Sequence, residues 1–534
     1  MYQENILECI RSNPVGLDVL GENPHVGSRQ TECVAPRGQT RVPVQVEFIG
    51  KNSRELQRDF SSLTGPVGIE WSELMGRKQL VLTDMCVLRV TPHPFGLTRD
   101  RNENLVAGGM EVHIQLLSEA LVALYPVQMH VVAPMSPGLP EREVRTNAQW
   151  RGEIVVHRIP NLFLRPNQST PKVMSIAAEV GAQVLHLHDF DKPLAVRLAR
   201  EATQAGIGVA VTHHYGAVMP PLGETASNTA SYARRVFRHF VGKVKEQGFY
   251  AGTSEFALDV LEQVRRRYVG VESRREEMCK LVDKSSRLPF NSCQLITISD
   301  PSRSVFRGHQ SLSLGVPMDP DFFDPANVCS EEIERLRDVY GIRPDEPVVV
   351  YHARITPNKG QKHIVEVART LRDRYEQSVK VLFLGTVVDP QYCRELDALC
   401  RQYQLGNQVK ILPAVDQLGV RSHLALASLF LFPPCCEEGL GRSGLDALLM
   451  KKPVIAYNRG GLHEYVKDGV TGYLVGPNNT EKMAELTFQL LQEPARIVEM
   501  GEQGRQLVSL RYHAKKLAQE YMNVVYAPQL QVAQ

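Results

Sequence analysis

The 534-residue sequence predicts an α/β protein made of two doubly wound domains whose parallel sheets face a central cleft. Three observations predict it. Short β-branched runs alternate with segments of helical periodicity, and they do so in two separate series. A proline-bearing stretch, "GVPMDPDFFDPAN" with Pro317, Pro320 and Pro325, lies between the series. The chain is also long for one core, corresponding to about two to four domains of ordinary size.

The first series covers about residues 81–325. It opens with the strand "MCVLRVT", continues into a helix over "GGMEVHIQLLSEALVAL", and proceeds through the strands "MHVVAP", "EIVVHRI" and "VLHLH". A helix over "LAVRLAREATQA" and the strands "GVAVTHH" and "QLITIS" complete it. The second series, residues 326–512, begins its alternation near 345 with "PVVVYHAR". A helix follows, with Ile364, Val365, Val367, Ala368 and Leu371 at helical spacing. Then come "VKVLFLG", a helix around "QYCRELDALCRQY", "QVKILP", a short helix near "RSHLALA", "LFLF", a helix beginning near Arg442, and "KPVIAY". Repeated β-α-β steps require right-handed crossovers and bury a parallel sheet between two helical layers. Residues 513–534 are expected to form a helix that crosses back to the first domain.

Two segments stand outside this pattern. Residues 1–80 contain one strand-like alternation, "RVPVQVEFIG", and one helical candidate, "SRELQRDFSSL", with no function attached. Within an arginine-rich helical stretch from about 226 to 290, residues 232–246 place Val236, Phe237, Phe240, Val241 and Val244 on one face. Arg234, Arg235, Arg238, Lys243 and Lys245 surround that stripe, which suits either an interfacial membrane helix or a helix packed on the first sheet.

Composition narrows the function classes. A hydrophobic content of 43% and a charged content of 22% are those of a soluble globular protein. A net charge of +2 does not point to nucleic acid. Ten cysteines without a CxxC pair read as reduced thiols in a cytoplasmic compartment. The N-terminus lacks the apolar core of a signal peptide, and no stretch approaches the length of a bilayer span.

One stretch, "LFLFPPCCEEGLGRSGLDALLMKKPVIAYN", holds Gly439-x-Gly441-x-x-Gly444, the spacing of a dinucleotide fingerprint. That fingerprint demands a glycine at the strand end and an acid at the end of the next strand. Here six residues separate Phe432 from Gly439, and the next strand ends at Asn458, so a dehydrogenase is disfavoured. The glycines instead let the backbone approach a ligand and open a helix whose amides face anionic or hydroxyl groups. Glu438 and Asp446 flank that turn, and ionised carboxylates accept hydrogen bonds from sugar diols. The plainer alternative is a helix start with dipole-favoured acids, Glu437 or Glu438. In "HARITPNKGQ", Arg354 ends a strand and Lys359 opens the next helix, a placement that suits a diphosphate unless both are surface cations beside a turn.

Taken in order, these residues resemble the retaining glycosyltransferases of family 4, which have the GT-B fold of two Rossmann-like domains. The family's R-x4-K-G is matched from Arg354 to Lys359-Gly360, and its E-x7-E by "EGLGRSGLD". Its strand "A-x-G-x-P-V-I-A" and its "GG-x-x-E-x-V-x-D-G-x-T-G" segment are matched by "LLMKKPVIAY" and "GGLHEYVKDGVTGYLV". The resemblance covers roughly residues 81–525. It implies transfer of a sugar from a nucleoside-diphosphate-sugar donor to a small-molecule or lipid-linked acceptor. Two cations beside a helix terminus, with no DxD-type pair in the sequence placed for a metal, lead to the expectation of no cofactor and no metal. Arg354 and Lys359 would hold the diphosphate, Glu438 the transferred sugar and Asp446 the ribose. The backbone at Leu412 would meet the base, and Gly439, Leu440 and Gly441 would line the donor. In "AGGMEVH", Gly108 and Gly109 would approach the diphosphate from the opposite wall. In "VTHHYG", His214 would lie near the sugar, with His213 its neighbouring competitor. The resemblance departs from the family at Asp446, one methylene shorter than glutamate, at the "LGVPMD" linker, and at "HARI", where the family has a glycine before the arginine. Peripheral attachment at the inner face of a membrane through residues 232–246 is the associated expectation. A non-catalytic sugar-nucleotide-binding protein on the same fold is the alternative, and it predicts loss of the cationic pair or of Glu438; all three residues are present.

Overall fold

The computed structural model describes residues 85–92, 98–99, 105–106, 109–135, 138–188, 193–214, 293–306 and 310–532. The extension 1–80, Gly108 and the basic segment 232–246 lie outside the described residues. Both sheets belong to one compact unit, residues 82–534.

The first sheet has eight strands: β1 (Cys86–Val90), β2 (Gln128–Pro134), β3 (Arg142–Arg145), β4 (Glu153–Ile159), β5 (Val184–His188), β6 (Gly208–His213), β7 (Cys293–Thr297) and β8 (Ser311–Ser313). Their order is β8-β7-β6-β5-β1-β2-β4-β3, parallel throughout except for β3 against β4. Helix α1 (Gly109–Leu124) packs one face, and α2 (Pro166–Glu179) and α3 (Pro193–Gln204) pack the other. The β-branched runs of the sequence therefore sit where a doubly buried sheet requires them. Helix α2 and the edge strand β3 escape the periodicity argument. The start of α2, "PNQSTPK", is polar, and β3 alternates between exposed and half-buried residues at a solvated edge.

The second domain opens with α4 (Ser330–Tyr340) and continues with β9 (Val348–His352), α5 (Gln361–Tyr375), β10 (Lys380–Leu384), α6 (Pro390–Gln402), β11 (Val409–Leu412) and α7 (Gln417–Leu426). It then returns through β12 (Phe430–Phe432), α8 (Arg442–Leu449), β13 (Val454–Tyr457), β14 (Gly472–Val475), α9 (Thr480–Leu491) and α10 (Pro494–Tyr512). Strands β9-β10-β11 and β12-β13-β14 are parallel triplets, and a parallel bridge from Val349 to Leu429 joins them into the order β11-β10-β9-β12-β13-β14. The chain leaves β9 in one direction and comes back to β12 on its other side. That reversal opens a crevice at the carboxyl ends of β9 and β12.

The chain passes between the domains twice, and the two passages are bonded side by side. Met318 N donates to Tyr512 O at 2.8 Å, and Ala514 N donates to Met318 O at 2.8 Å. Gly315, at φ +88°, leaves room for the Tyr512 ring, whose Cδ1 would lie 2.8 Å from an added Cβ. After the second passage α11 (Ala514–Tyr521) and the turn Met522–Tyr526 pack on the first domain, where Ala518, Tyr521, Val525 and Tyr526 join the core beneath α1.

Candidate active site

The second domain's crevice gathers the two charged motifs. Gly360 has φ +71°, and a Cβ there would lie 1.9 Å from Pro433 O, so the turn after β9 presses directly on the turn after β12. Cys435 N donates to Asn358 O at 2.9 Å, pinning the same contact. Lys359 is anchored by its carbonyl, which accepts from the buried Tyr351 hydroxyl at 2.8 Å. Its Nζ forms an ion pair with Glu438 Oε1, with side-chain exposures of 20% and 12%. Two residues 79 apart in sequence thus share one partly dehydrated pair. Arg354, two positions past β9, is exposed, and its carbonyl accepts from Gln361 Nε2 at 2.9 Å.

The Gly460-Gly461 turn fixes Glu438 from behind. Gly460 has φ +55°, and a Cβ there would meet Glu438 O at 1.8 Å. Gly461 N donates to Glu438 O at 3.0 Å, and Gly460 N donates to Glu437 Oε2 at 2.5 Å. Glu437, which also faces Arg459 Nη1 at 3.5 Å, therefore holds the turn, while Glu438 points to Lys359. The helix-start reading of the two acids applies to neither.

On their Cβ side the glycines of "GLGRSG" face protein, and Gly441 opens α8 as its N-cap. A Cβ at Gly441 would lie 2.6 Å from Phe432 Cε1, and one at Gly444 would lie 2.2 Å from the Tyr465 hydroxyl. A Cβ at Gly439 would meet Ile298 Cδ1 at 2.6 Å and His214 O at 3.1 Å, so this glycine lets the first domain come close. Leu440 is wholly buried in the second domain's core, leaving its backbone as the part able to reach the cleft. Leu412 closes β11, and its carbonyl accepts from Gly385 N at 3.3 Å.

Asp446 is 2% exposed on α8. Its Oδ1 lies 3.7 Å from Arg442 Nε and its Oδ2 lies 3.7 Å from His352 Nε2, too far for good hydrogen bonds. Burial pushes its carboxyl up to about 6, opposed by the Arg442 charge, and burial lowers His352 to about 4. Asp446 Oδ1, Arg442 Nε and His352 Nε2 are all buried without a hydrogen-bond partner. These three groups form one buried, under-bonded cluster between β9 and α8. Arg442 is a site residue that the motif spacing missed. Its Nη1 donates to Pro317 O in the first passage at 2.8 Å, and its Cβ lies 3.7 Å from a Cβ built on Gly109 at the start of α1.

The first domain presents histidines. His214 follows β6 at the cleft edge, while His213 is the last residue of β6, 2% exposed, with burial lowering it to about 4. His214 Nε2 lies 2.8 Å from His188 Nδ1, and its ring stands edge-on to His113 at 4.7 Å. Deeper, Arg89 Nη2 donates to the Tyr526 hydroxyl at 2.6 Å, and that hydroxyl lies 2.8 Å from His186 Nδ1. Burial lowers His113, His186 and His188 well below the ordinary histidine range. The sequence showed "VLHLH" as a strand; that its histidines stand beside His214 depends on strand order, which spacing does not reveal. Two further contacts close the walls. Glu464 Oε1 accepts from Asp300 N at 2.7 Å, and its other oxygen pairs with Arg511 at 2.9 Å. Among the described residues no group of three or more histidine, cysteine or acidic side chains is placed to hold a metal ion.

The family model for "Glycosyl transferases group 1" matches residues 332–507, and that for "Glycosyltransferase Family 4" matches residues 107–253. The chain resembles the family 4 glycosyltransferases in sequence and in fold. A GDP-mannose-dependent alpha-(1-6)-phosphatidylinositol monomannoside mannosyltransferase of Mycobacterium tuberculosis is 30% identical over 209 residues, 38% of this chain and 52% of that protein. The chain spans about half the length of the curated relatives it matches. A sucrose-phosphate synthase from Thermosynechococcus elongatus superimposes with a TM-score of 0.61 at 20% identity, over 84% of this chain and 100% of that one. An Anabaena protein, HepE, in complex with UDP-glucose superimposes with a TM-score of 0.58 at 16% identity, over 83% and 99%. The fold is GT-B: two Rossmann-like domains joined by two passages, with parallel sheets whose carboxyl ends carry the candidate residues.

Proposed function

We propose that this glycosyltransferase-like chain moves a sugar, with retention of configuration, from a nucleoside-diphosphate-sugar donor to a small-molecule or lipid-linked acceptor. The convergence of Lys359 and Glu438 at the second domain's crevice carries the reading, because one cation and one acid there match the two halves of a sugar diphosphate. Breaking the bond between anomeric carbon and phosphate builds negative charge on the diphosphate and positive charge on the ring. Lys359 and the exposed Arg354 stabilise the first, and preorganised cations in a closed cleft act without reorganising as the charge appears. Glu438 leaves Lys359 for the sugar hydroxyls when the diphosphate takes its place. The half-buried His214, against Gly439, faces the sugar from the other wall. Domain closure about the paired passages then excludes water and favours transfer over hydrolysis. In this reading Lys359 and Arg354 supply the cationic charge, so activity persists in a chelator.

The UDP-glucose complex of the Anabaena protein supports a nucleotide-sugar donor, and the mycobacterial relative, a phosphatidylinositol monomannoside mannosyltransferase, supports a lipid-linked acceptor. Among the described residues no helix is long and apolar enough to cross a membrane. The proposed location is the cytoplasm, with reversible contact at the inner face of a membrane. The test is a thermal-shift screen of nucleotide sugars, since a ligand held at 100 times its Kd adds about 2.7 kcal/mol of apparent stability. It is followed by NMR of the product's anomeric configuration, with and without chelator. Stabilisation by one donor class and a retained anomeric centre are expected; an inverted product rules out retention.

A further inference from the structure

We propose that His188 is a positioning residue that fixes, through one donated hydrogen bond, the tautomer and orientation of His214. The inference rests on the reading of His214 as the group that faces the donor sugar, and it adds what prepares that group.

His188 closes β5, next to β1 and β6 in the sheet, and is 1% exposed. Burial opposes its protonation first, the Arg89 charge opposes it further, and a proton on any of the neighbouring His113, His186 or His214 would do the same. The ring is therefore neutral, with one N–H and one lone pair. The hydrogen bonds decide which nitrogen carries the proton. Nδ1 is 2.8 Å from His214 Nε2, whereas Nε2 is buried with no partner. A buried N–H without an acceptor is rarer than an unsatisfied acceptor, so the proton sits on Nδ1 and the bare lone pair is left at Nε2. His188 donates and His214 accepts at Nε2.

That assignment propagates outward. An imidazole accepting at Nε2 carries its proton on Nδ1, so His214 is neutral and presents an N–H at Nδ1. A donor of this kind suits a sugar hydroxyl or a phosphate oxygen. The ring's orientation is held on two sides, by His188 with ring centroids 5.1 Å apart and by the edge of His113 at 4.7 Å. A second link backs the same strand: His186 Nε2 lies 2.7 Å from Thr212 Oγ1, tying β5 to β6 two residues before His214. Strand register thus delivers two neighbouring strand ends as one preset donor.

The test uses the full chain with 15N-labelled histidine, and UDP-glucose and GDP-mannose as donor probes. Three variants separate the possibilities. His188→Asn keeps an amide donor near the Nδ1 position, His188→Leu removes it, and His188→Asp offers only an acceptor. Long-range 1H–15N spectra should show His214 protonated at Nδ1 in the wild type and in His188→Asn, and at Nε2 in His188→Asp. For whichever probe is turned over, His188→Leu should lower kcat roughly 10–100-fold, as loss of an orienting partner does for metal-bound histidines, with KM little changed. His188→Asn should recover most of that loss. A wild-type His214 protonated at Nε2, or a folded His188→Leu with wild-type kcat, overturns the proposal. If the spectra show the predicted tautomers while no variant, wild type included, turns over either probe, the positioning assignment stands and the glycosyltransferase reading is what fails for these donors.

Discussion

The two walls of the cleft are built on the same plan and filled with opposite chemistry. In both domains the residues that matter follow the carboxyl ends of central parallel strands, where a doubly wound sheet leaves a crevice. On the second domain's wall the groups are charged and partly wet: Arg354 is exposed, and the Lys359–Glu438 pair keeps 20% and 12% of its side-chain surface. On the first domain's wall the rings behind His214 are dry, and burial holds His113, His186 and His188 neutral. In the proposed function one wall supplies charge and the other uncharged hydrogen bonds, which matches the two halves of a sugar diphosphate.

The largest expected effect breaks the charged wall. Lys359→Ala should lower kcat/KM by roughly 10²–10³, the scale of losing one charge-stabilising group. Steady-state kinetics with the donor found by screening measures it. Glu438→Ala should impair transfer to a similar degree yet leave free nucleoside diphosphate bound, as calorimetry will show. If the nucleotide is lost and transfer survives, the two motifs have exchanged roles.

A smaller effect sharpens the boundary between the walls. Arg442→Leu removes the hydrogen bond to Pro317 O and strands Asp446, which should cost about 1–3 kcal/mol in denaturant unfolding. Gly441→Ala, at φ +66° with Phe432 and Leu462 within 2.8 Å of the new Cβ, should destabilise the turn by a comparable amount.

The smallest effect is a pH signature of the buried acid. The folded pKa of Asp446, about 6, lies above its ordinary value of 3.8. As pH rises through that interval the unfolded chain gives up its proton first, so the folded state loses stability relative to the unfolded. Measured against Asp446→Asn, the wild type should lose up to about 3 kcal/mol between pH 4 and pH 6, with a constant difference above. A flat difference would mean that Asp446 is hydrated when ionised.

How much of this was legible in the sequence follows from which interactions are local. Most strands of both series and the helices from Gly109, Gln361 and Arg442 were readable, because burial on both faces writes itself into consecutive residues, whereas the edge or short strands β3, β8 and β14 were not. Lys359 and Glu438 were readable as site candidates from their motifs, although their pairing spans 79 residues and needed the strand order. Helix α2 was hidden by its polar first turns. Arg442 was hidden inside a glycine motif, because what makes it notable is a carbonyl 125 residues away in the other passage. The glycines were legible as a motif, and Gly441 does open α8, but the protein neighbours on the Cβ side of all three depend on tertiary contacts that spacing does not reveal. His188 carried no signal beyond its place in a strand.

The most direct test of the central claim, that Lys359 holds a donor diphosphate, is calorimetric titration of UDP, GDP and ADP into the wild type and Lys359→Ala. One nucleoside diphosphate should bind the wild type, and the substitution should weaken it by about 1.5–3 kcal/mol, or roughly 10–150-fold, the scale of a hydrogen bond to a charged group. Equal affinity for both proteins, with the variant folded, would contradict the account.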